Sequence, residues 1–336
     1  MSRAPFKTVY FDVIGACNAR CPYCLTGTRN DGGTGAIAPG RFTEILGKLL
    51  EAGLVDPRSV ISLYNWGEPL LHPDLGGLVR AVNGLGLRYA LSTNAARIPT
   101  IDLDFVKSLD HVIFSMCGFS QRSYDRIQGT DFEKAKGNIA RFVSECRALR
   151  FTGRFVISYH VYRFNVEEMR PCEAFANRHG IVFNPYYAIL NDWDELCRLV
   201  DGAMSRDRLE VLSRDLFGLD EAKKAAGPAP PDYHCPQRDL LVVTESGDVM
   251  ACCQHPKGRA ELVCGNILRD DIAGIMERRE SLPVCRGCIA SGLAGYINSS
   301  IRAPEFYRGG WSQRFIRLKG RLVKLVSALS RRFGAA

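Results

Sequence analysis

"CNARCPYC", residues 17–24, follows directly on the apolar run "TVYFDVIGA", residues 8–16, and its reading decides the fold. C-x3-C-x2-C spacing sets three thiolates in one short loop. A structural zinc or a closed [4Fe–4S] cluster takes four protein ligands. Either a fourth ligand arrives from elsewhere in the chain, or the fourth position is left open for a substrate.

Around that loop, apolar β-branched runs at 7–14, 58–64, 87–92, 111–116, 154–161 and 181–187 alternate with amphipathic stretches. Phe42, Ile45, Leu46, Leu49 and Leu50 form one helical stripe closed by Gly53. Leu75, Leu78, Val79 and Val82 repeat the pattern, as do Phe132, Ile139, Phe142, Val143 and Leu149, and then Met169, Cys172, Phe175 and Ala176. Six successive βα units predict an α/β fold with a parallel sheet, curled or closed, and ligands at the strand C-terminal ends. The cysteine loop follows the first strand and so falls on that rim.

The chain has 336 residues, 46% of them hydrophobic, enough for one large α/β unit and a smaller one. No run of eighteen apolar residues and no N-terminal signal-like segment is present, so a cytoplasmic protein is expected. Thirteen cysteines in a reducing compartment point to metal or redox chemistry rather than disulfides. Much of the net charge of +8 lies in the last 35 residues. Outside that tail no basic stripe interleaved with aromatics occurs, which argues against a nucleic-acid partner.

Three thiolates on a four-iron cluster leave one iron free to hold the amino and carboxylate groups of S-adenosylmethionine (SAM). One electron then cleaves the sulfonium to a 5′-deoxyadenosyl radical. Here the loop resembles, residue by residue, the signature of the radical SAM superfamily, with Cys17, Cys21 and Cys24 as cluster ligands and aromatic Tyr23 before the last cysteine. "WGEPLLHP" is similar to the family's GGEP motif: Gly67, Glu68 and Pro69 match and Trp66 replaces the first glycine. "LSTNA" resembles the third-strand motif ending in Asn94, and the segment from Phe114 to Ile139 resembles the fourth-strand region, where Ser115 approaches the SAM ribose. Gln128 stands where the family commonly has arginine. The resemblance covers roughly residues 6–190. It implies a partial (β/α)6 barrel, SAM with its [4Fe–4S] cluster as cofactors, and an external one-electron reductant of flavodoxin or ferredoxin type.

A second constellation comprises Cys235, the pair Cys252 and Cys253, and the C-x2-C of Cys285 and Cys288. Gly247 with Cys252 resembles the G-x4-C element of twitch and SPASM auxiliary-cluster domains, and "CGNI" at 264–267 resembles their GN turn. The resemblance implies a second [4Fe–4S] cluster on Cys235, Cys252, Cys285 and Cys288, with either Cys252 or Cys253 as the ligand. A structural zinc on the same thiolates is the alternative. "LLVVTESGDVMACC" reads as a β-hairpin. The expected organisation is a barrel at 1–190, a helical segment and Pro/Ala connector at 191–232, the cluster domain at 233–295, and a basic amphipathic tail at 296–336.

Among the remaining cysteines, Cys146 and Cys172 sit on apolar helical stripes and are expected in the core. Cys117, after Ser115, is expected to face the SAM and substrate region; it and Cys253 are candidate hydrogen-atom donors, with a small residue in a Cys-Gly turn as the other reading of Cys117. Ser158 and His160 share a strand face directed into the barrel. In the tail, Leu318, Leu322, Leu325, Val326 and Leu329 oppose Arg317, Arg321, Lys324, Arg331 and Arg332. That face either packs on its own domain or makes weak contact with a membrane surface.

The expected activity is oxidation of a small sugar- or aminocyclitol-like alcohol through the auxiliary cluster. Epimerisation with a cysteine hydrogen donor and peptide maturation are the alternatives. A non-catalytic zinc- or nucleic-acid-binding protein is a more distant one, since it leaves the GEP-like and TN-like segments without a purpose.

Overall fold

The computed structural model describes residues 4–29, 35–217, 219, 233–255, 257, 259–299, 304 and 307. The amphipathic face expected over 318–332 and most of the connector lie outside them.

Alternation sets the orientation of β1 (Thr8–Phe11): Val9 and Phe11 are buried while Thr8 and Tyr10 are half-buried on the opposite face. Phe11 meets Phe42 of α2 (Pro39–Glu51) edge-on with ring centroids 4.8 Å apart, which identifies the helix-covered side. A short α1 (Leu25–Arg29) precedes α2. Phe42, Ile45, Leu46 and Leu49 of α2 are buried, each contributing about 1.5–3 kcal/mol relative to exposure. The helix stops where Gly53 takes φ +67° and Leu54 N donates to Leu49 O.

The βα units continue through β2 (Val60–Ser62), α3 (Leu75–Gly84), β3 (Arg88–Thr93), α4 (Leu103–Lys107), β4 (Leu109–Met116), α5 (Gln121–Ile127), α6 (Phe132–Ala148), β5 (Arg154–Val161), α7 (Met169–Arg178) and β6 (Val182–Tyr187). Asp74, Asp102, Ser120 and Asp131 cap α3, α4, α5 and α6 with side-chain acceptors, each stabilising its helix by about 1 kcal/mol. Strands β1 to β6 form a parallel array in the order 6-5-4-3-2-1. Among the described residues β6 does not pair with β1, so the barrel is open, as the partial (β/α)6 expectation has it.

Helices α8 (Trp193–Val200) and α9 (Arg206–Ser213) follow, the latter within the segment 205–217 expected to be helical. Then come β7 (Leu240–Val243), β8 (Asp248–Met250) and β9 (Val263–Asn266), with α10 (Ile272–Ser281), α11 (Pro283–Ala290) and α12 (Leu293–Ser299). The β7–β8 hairpin forms as its turn residues require, with Gly247 at φ +87°. Strand β7 pairs in parallel with β1, from Thr8↔Leu240 to Phe11↔Val243, so the cysteine-rich segment continues the barrel sheet. No helix among the described residues is long and apolar enough to cross a membrane. Cys146 and Cys172 are fully buried in the core, as expected.

Candidate active site

After β1 the chain turns over the strand ends, and the cysteine loop is pinned from several sides. Arg20 N donates to Gln128 O at 2.9 Å, Asn191 N to Tyr23 O at 2.8 Å, and Tyr23 Oη to Asp215 Oδ2 at 2.6 Å. A side chain at Gly27 would lie 2.6 Å from the backbone N and O of Cys21, so glycine is required where α1 turns back on the loop. Cys17, Cys21 and Cys24 are all half-buried. Burial pushes the Cys17 thiol up to about 11 and raises Cys21 and Cys24 too. Among the described residues no three His, Cys, Asp or Glu side chains close on a single ion. Three thiols on one loop match the three-cysteine donor set expected for a cluster with one open iron.

Asp12, at the end of β1, organises the loop after β2. Its Oδ1 accepts from Trp66 N at 2.7 Å and Gly67 N at 3.3 Å, and its Oδ2 from Asn65 Nδ2 at 3.2 Å. Lys257, on the loop after Cys252 and Cys253, reaches Glu245 at 3.0 Å and Asp12 at 3.8 Å. The auxiliary segment is thereby tied to the GEP loop. Sequence reasoning missed Asp12 and Lys257; the one available signal was a carboxylate between apolar Phe11 and Val13 in a buried run.

Glu68 N donates to Ala16 O at 2.9 Å, setting the GEP loop against the cysteine loop. The Glu68 carboxylate accepts from Leu70 N at 3.1 Å and Asn94 N at 2.8 Å. Asn94 in turn donates to Asn18 Oδ1 at 2.9 Å, beside Cys17. Gly67, Glu68, Pro69 and Asn94 are thus brought together with the cysteines. Burial raises the Glu68 carboxyl from 4.5 to about 7 despite two backbone donors. The folded state then binds more protons than the unfolded chain between those values, and stability falls as pH rises through them. Glu68→Gln turns an amide N–H toward one of those donors. The expected result is weaker SAM binding with cluster iron retained, and loss of Glu68's share of the slope of stability between about pH 4.5 and 7. Equilibrium binding of SAM and denaturant midpoints against pH check this; unchanged SAM affinity would show the motif to be misplaced.

In the lumen, register brings polar residues level. Ser115 pairs with Ser158 and His160 with Tyr186 across β4, β5 and β6. Tyr186 Oη lies 2.6 Å from His160 Nε2, and Ser115 Oγ lies 3.5 Å from the same nitrogen. Burial pulls His160 down to about 4, so the imidazole is neutral. Tyr10 and Tyr64 extend this wall, their rings 5.5 Å apart. Gln128 Nε2 donates to Ser115 O at 3.1 Å; its Oε1 is buried without a hydrogen-bond partner among the described residues.

Cys117 is 1% exposed and its thiol donates to Ser123 O at 3.7 Å; it also lies near Cys21, whose thiol it helps to raise. Strand β4 ends at Met116, and the Cys117–Gly118 turn is held by Asn165 Nδ2 donating to Cys117 O at 2.7 Å. The reading as a small residue in a tight turn fits this geometry.

The second cysteine set surrounds a small pocket lined by Cys235, Cys252, Cys285 and Cys288 together with Trp193, His255 and Gln237. Burial raises the Cys285 and Cys288 thiols, and nearby Cys252 raises both further. Four thiols around one space match the donor set of a closed cluster. Cys253 is not part of that lining. It packs with Tyr10 against Val242, Met250 and Leu262, and its thiol donates to Gln237 Oε1 at 3.1 Å. Burial, then neighbouring Tyr64 and Cys253, raise the Tyr10 phenol.

An open parallel barrel with three thiols on its rim, braced against the loops after β2 and β3, defines a SAM-dependent iron–sulfur enzyme. Residues 12–168 match the family described as the Radical SAM superfamily. Its cofactors are SAM and a [4Fe–4S] cluster. Over 322 residues the chain is 24% identical to the PqqA peptide cyclase of Xanthomonas campestris pv. campestris (strain 8004), covering 84% of this chain and 79% of that protein. Among solved structures it is similar to Streptococcus suis SuiB bound to precursor peptide SuiA, with TM-score 0.57 and 14% identity over 92% of this chain and 76% of that one. It is also similar to anSMEcpe with bound AdoMet, with TM-score 0.55 and 13% identity over 96% and 95%. These structural likenesses establish the fold.

Proposed function

We propose that this enzyme carries out a two-electron oxidation of a peptide side chain, with Cys17, Cys21 and Cys24 holding the SAM cluster and Cys235, Cys252, Cys285 and Cys288 an auxiliary cluster. The observation that carries the oxidation is the Cys252–Cys253 step: one cysteine lines the four-thiol pocket, and the next packs beside Tyr10 at the lumen wall. A substrate held in the lumen is then a short distance from an electron acceptor. When bound, SAM and its cluster supply a 5′-deoxyadenosyl radical that takes one hydrogen atom from the substrate. Loss of one proton to solvent and one electron toward the pocket completes removal of two hydrogens. Ser115, Ser158, His160 and Tyr186 orient the reacting group, and the Asp12–Lys257 pairing keeps the GEP loop in register with the auxiliary segment. Ring-forming coupling of two side chains has the same electron balance as dehydrogenation.

Peptide as substrate class is supported by the names of the proteins this chain resembles, a PqqA peptide cyclase and SuiB with its precursor peptide. A carbohydrate-like alcohol is the second reading, favoured by the neutral hydroxyl- and imidazole-bearing lumen wall, where an ionised substrate group would be costly to bury. Thirteen unpaired cysteines also suit a reducing, cytoplasmic setting, with a flavodoxin- or ferredoxin-type protein as electron donor.

The test offers reduced holoenzyme, in deuterium oxide, short peptides encoded by neighbouring genes and, separately, aminocyclitols. Peptide is expected to stimulate release of 5′-deoxyadenosine and to give a product two mass units lighter without deuterium at carbon. Stimulation by aminocyclitols alone would favour the second reading. A product of unchanged formula, carrying one deuterium that is lost in Cys253→Ala, would make the enzyme an epimerase.

A further inference from the structure

The four-thiol pocket contains a fifth donor that the cysteine pattern does not announce. His255 is 2% exposed and stands on the turn closed by its own N donating to Cys252 O at 3.2 Å. Its imidazole lines the pocket with the four cysteines and meets Trp193 edge-on, ring centroids 4.7 Å apart. Nδ1 is buried with no hydrogen-bond partner among the described residues. Such a group costs about 1–3 kcal/mol unless something fills its need. Thiols dominate the polar groups around this pocket, with Gln237 and Arg238 at its edge.

Positive charge collects beside it. The Arg279 side chain is 1% exposed, and its guanidinium donates to Gln237 O and Arg238 O at 3.1 Å each, and to Leu240 O. Its charge acts on Cys252, Cys264 and Cys285. Four thiolates on a cluster are a net negative load, and each added electron increases it. Hydrogen bonds to the sulfurs and fixed cations both favour the reduced form.

We infer that His255 is a positioning and tuning residue of the auxiliary cluster, its imidazole N–H hydrogen-bonding a cluster or ligand sulfur and, with Arg238 and Arg279, raising the reduction potential. Resting as it does on the reading of this pocket as an iron–sulfur site, the inference gives the pocket a direction: electrons are drawn in from the lumen side. Trp193 packs the ring edge-on, and the Cys252 turn holds it by the backbone.

The experiment is an EPR-monitored redox titration of full-length, anaerobically reconstituted protein. The variant lacking Cys17, Cys21 and Cys24 serves to assign the auxiliary signal. His255→Leu is expected to move the auxiliary midpoint to a more negative potential and to remove a weak nitrogen coupling seen by pulsed EPR in the wild type. His255→Gln, which keeps an N–H, should shift less, and it carries the comparison if the leucine variant loses iron. An auxiliary midpoint unchanged in both variants, with iron retained, overturns the inference. Wild-type protein with only four irons per chain, or with zinc in the second site, overturns the underlying reading instead.

Discussion

Replacing Cys17, Cys21 and Cys24 together by alanine is expected to remove about half the iron from anaerobically reconstituted protein, from about eight atoms per chain to about four, and to abolish release of 5′-deoxyadenosine. All three thiols lie on the loop after β1, and four others, Cys235, Cys252, Cys285 and Cys288, surround a separate pocket. Loss of one set should therefore leave the other loaded. The converse variant, alanine at Cys235, Cys252, Cys285 and Cys288, should also lose about half the iron but still cleave SAM slowly without substrate. Iron and acid-labile sulfide assays with product chromatography decide the matter. Stoichiometric zinc and no iron after anaerobic purification would remove the basis for radical chemistry.

That the two sets are separate was legible in the spacing of the cysteines, and so were the six parallel strands, because period-2 and period-3.6 patterns report faces that must be buried. What stayed illegible depends on partners far away in sequence. Cys252 and Cys253 are indistinguishable as letters, yet only Cys252 lines the four-thiol pocket, while Cys253 packs on the Val242, Met250 and Leu262 cluster as Tyr10 does. Cys117 follows the last residue of β4, where alternation from Ser115 no longer fixes which way a side chain points. Pairing of β7 with β1 joins segments more than 200 residues apart, which no local pattern encodes. Asp12, Lys257 and His255 acquire their roles only through such long-range neighbours.

Gly67→Ala is expected to be nearly as damaging as loss of a ligand, for a purely steric reason. An added Cβ would overlap the Ile14 carbonyl oxygen and come within 2.9 Å of Ile14 C and 3.2 Å of Ala16 O, in the backbone that leads into Cys17. Neither side can yield easily. Asp12 fixes the amides of Trp66 and Gly67, Glu68 N is bonded to Ala16 O, and Ile14 bridges Ala36. Relief requires the GEP loop to move away from the cysteine loop by about the overlap, and misplacement on that scale costs on the order of 100-fold in rate. SAM cleavage should therefore fall by about two orders of magnitude. The fold should persist, because the lost contacts lie on the rim and not in the layer between strands and helices. Gly84, where an added methyl meets nothing within 4 Å, is the control, and Gly84→Ala should cleave SAM at the wild-type rate. Near-normal turnover in Gly67→Ala, with an unchanged circular dichroism spectrum and iron content, would mean that the two loops are not held together as tightly as their hydrogen bonds indicate, and that SAM meets some other part of the rim.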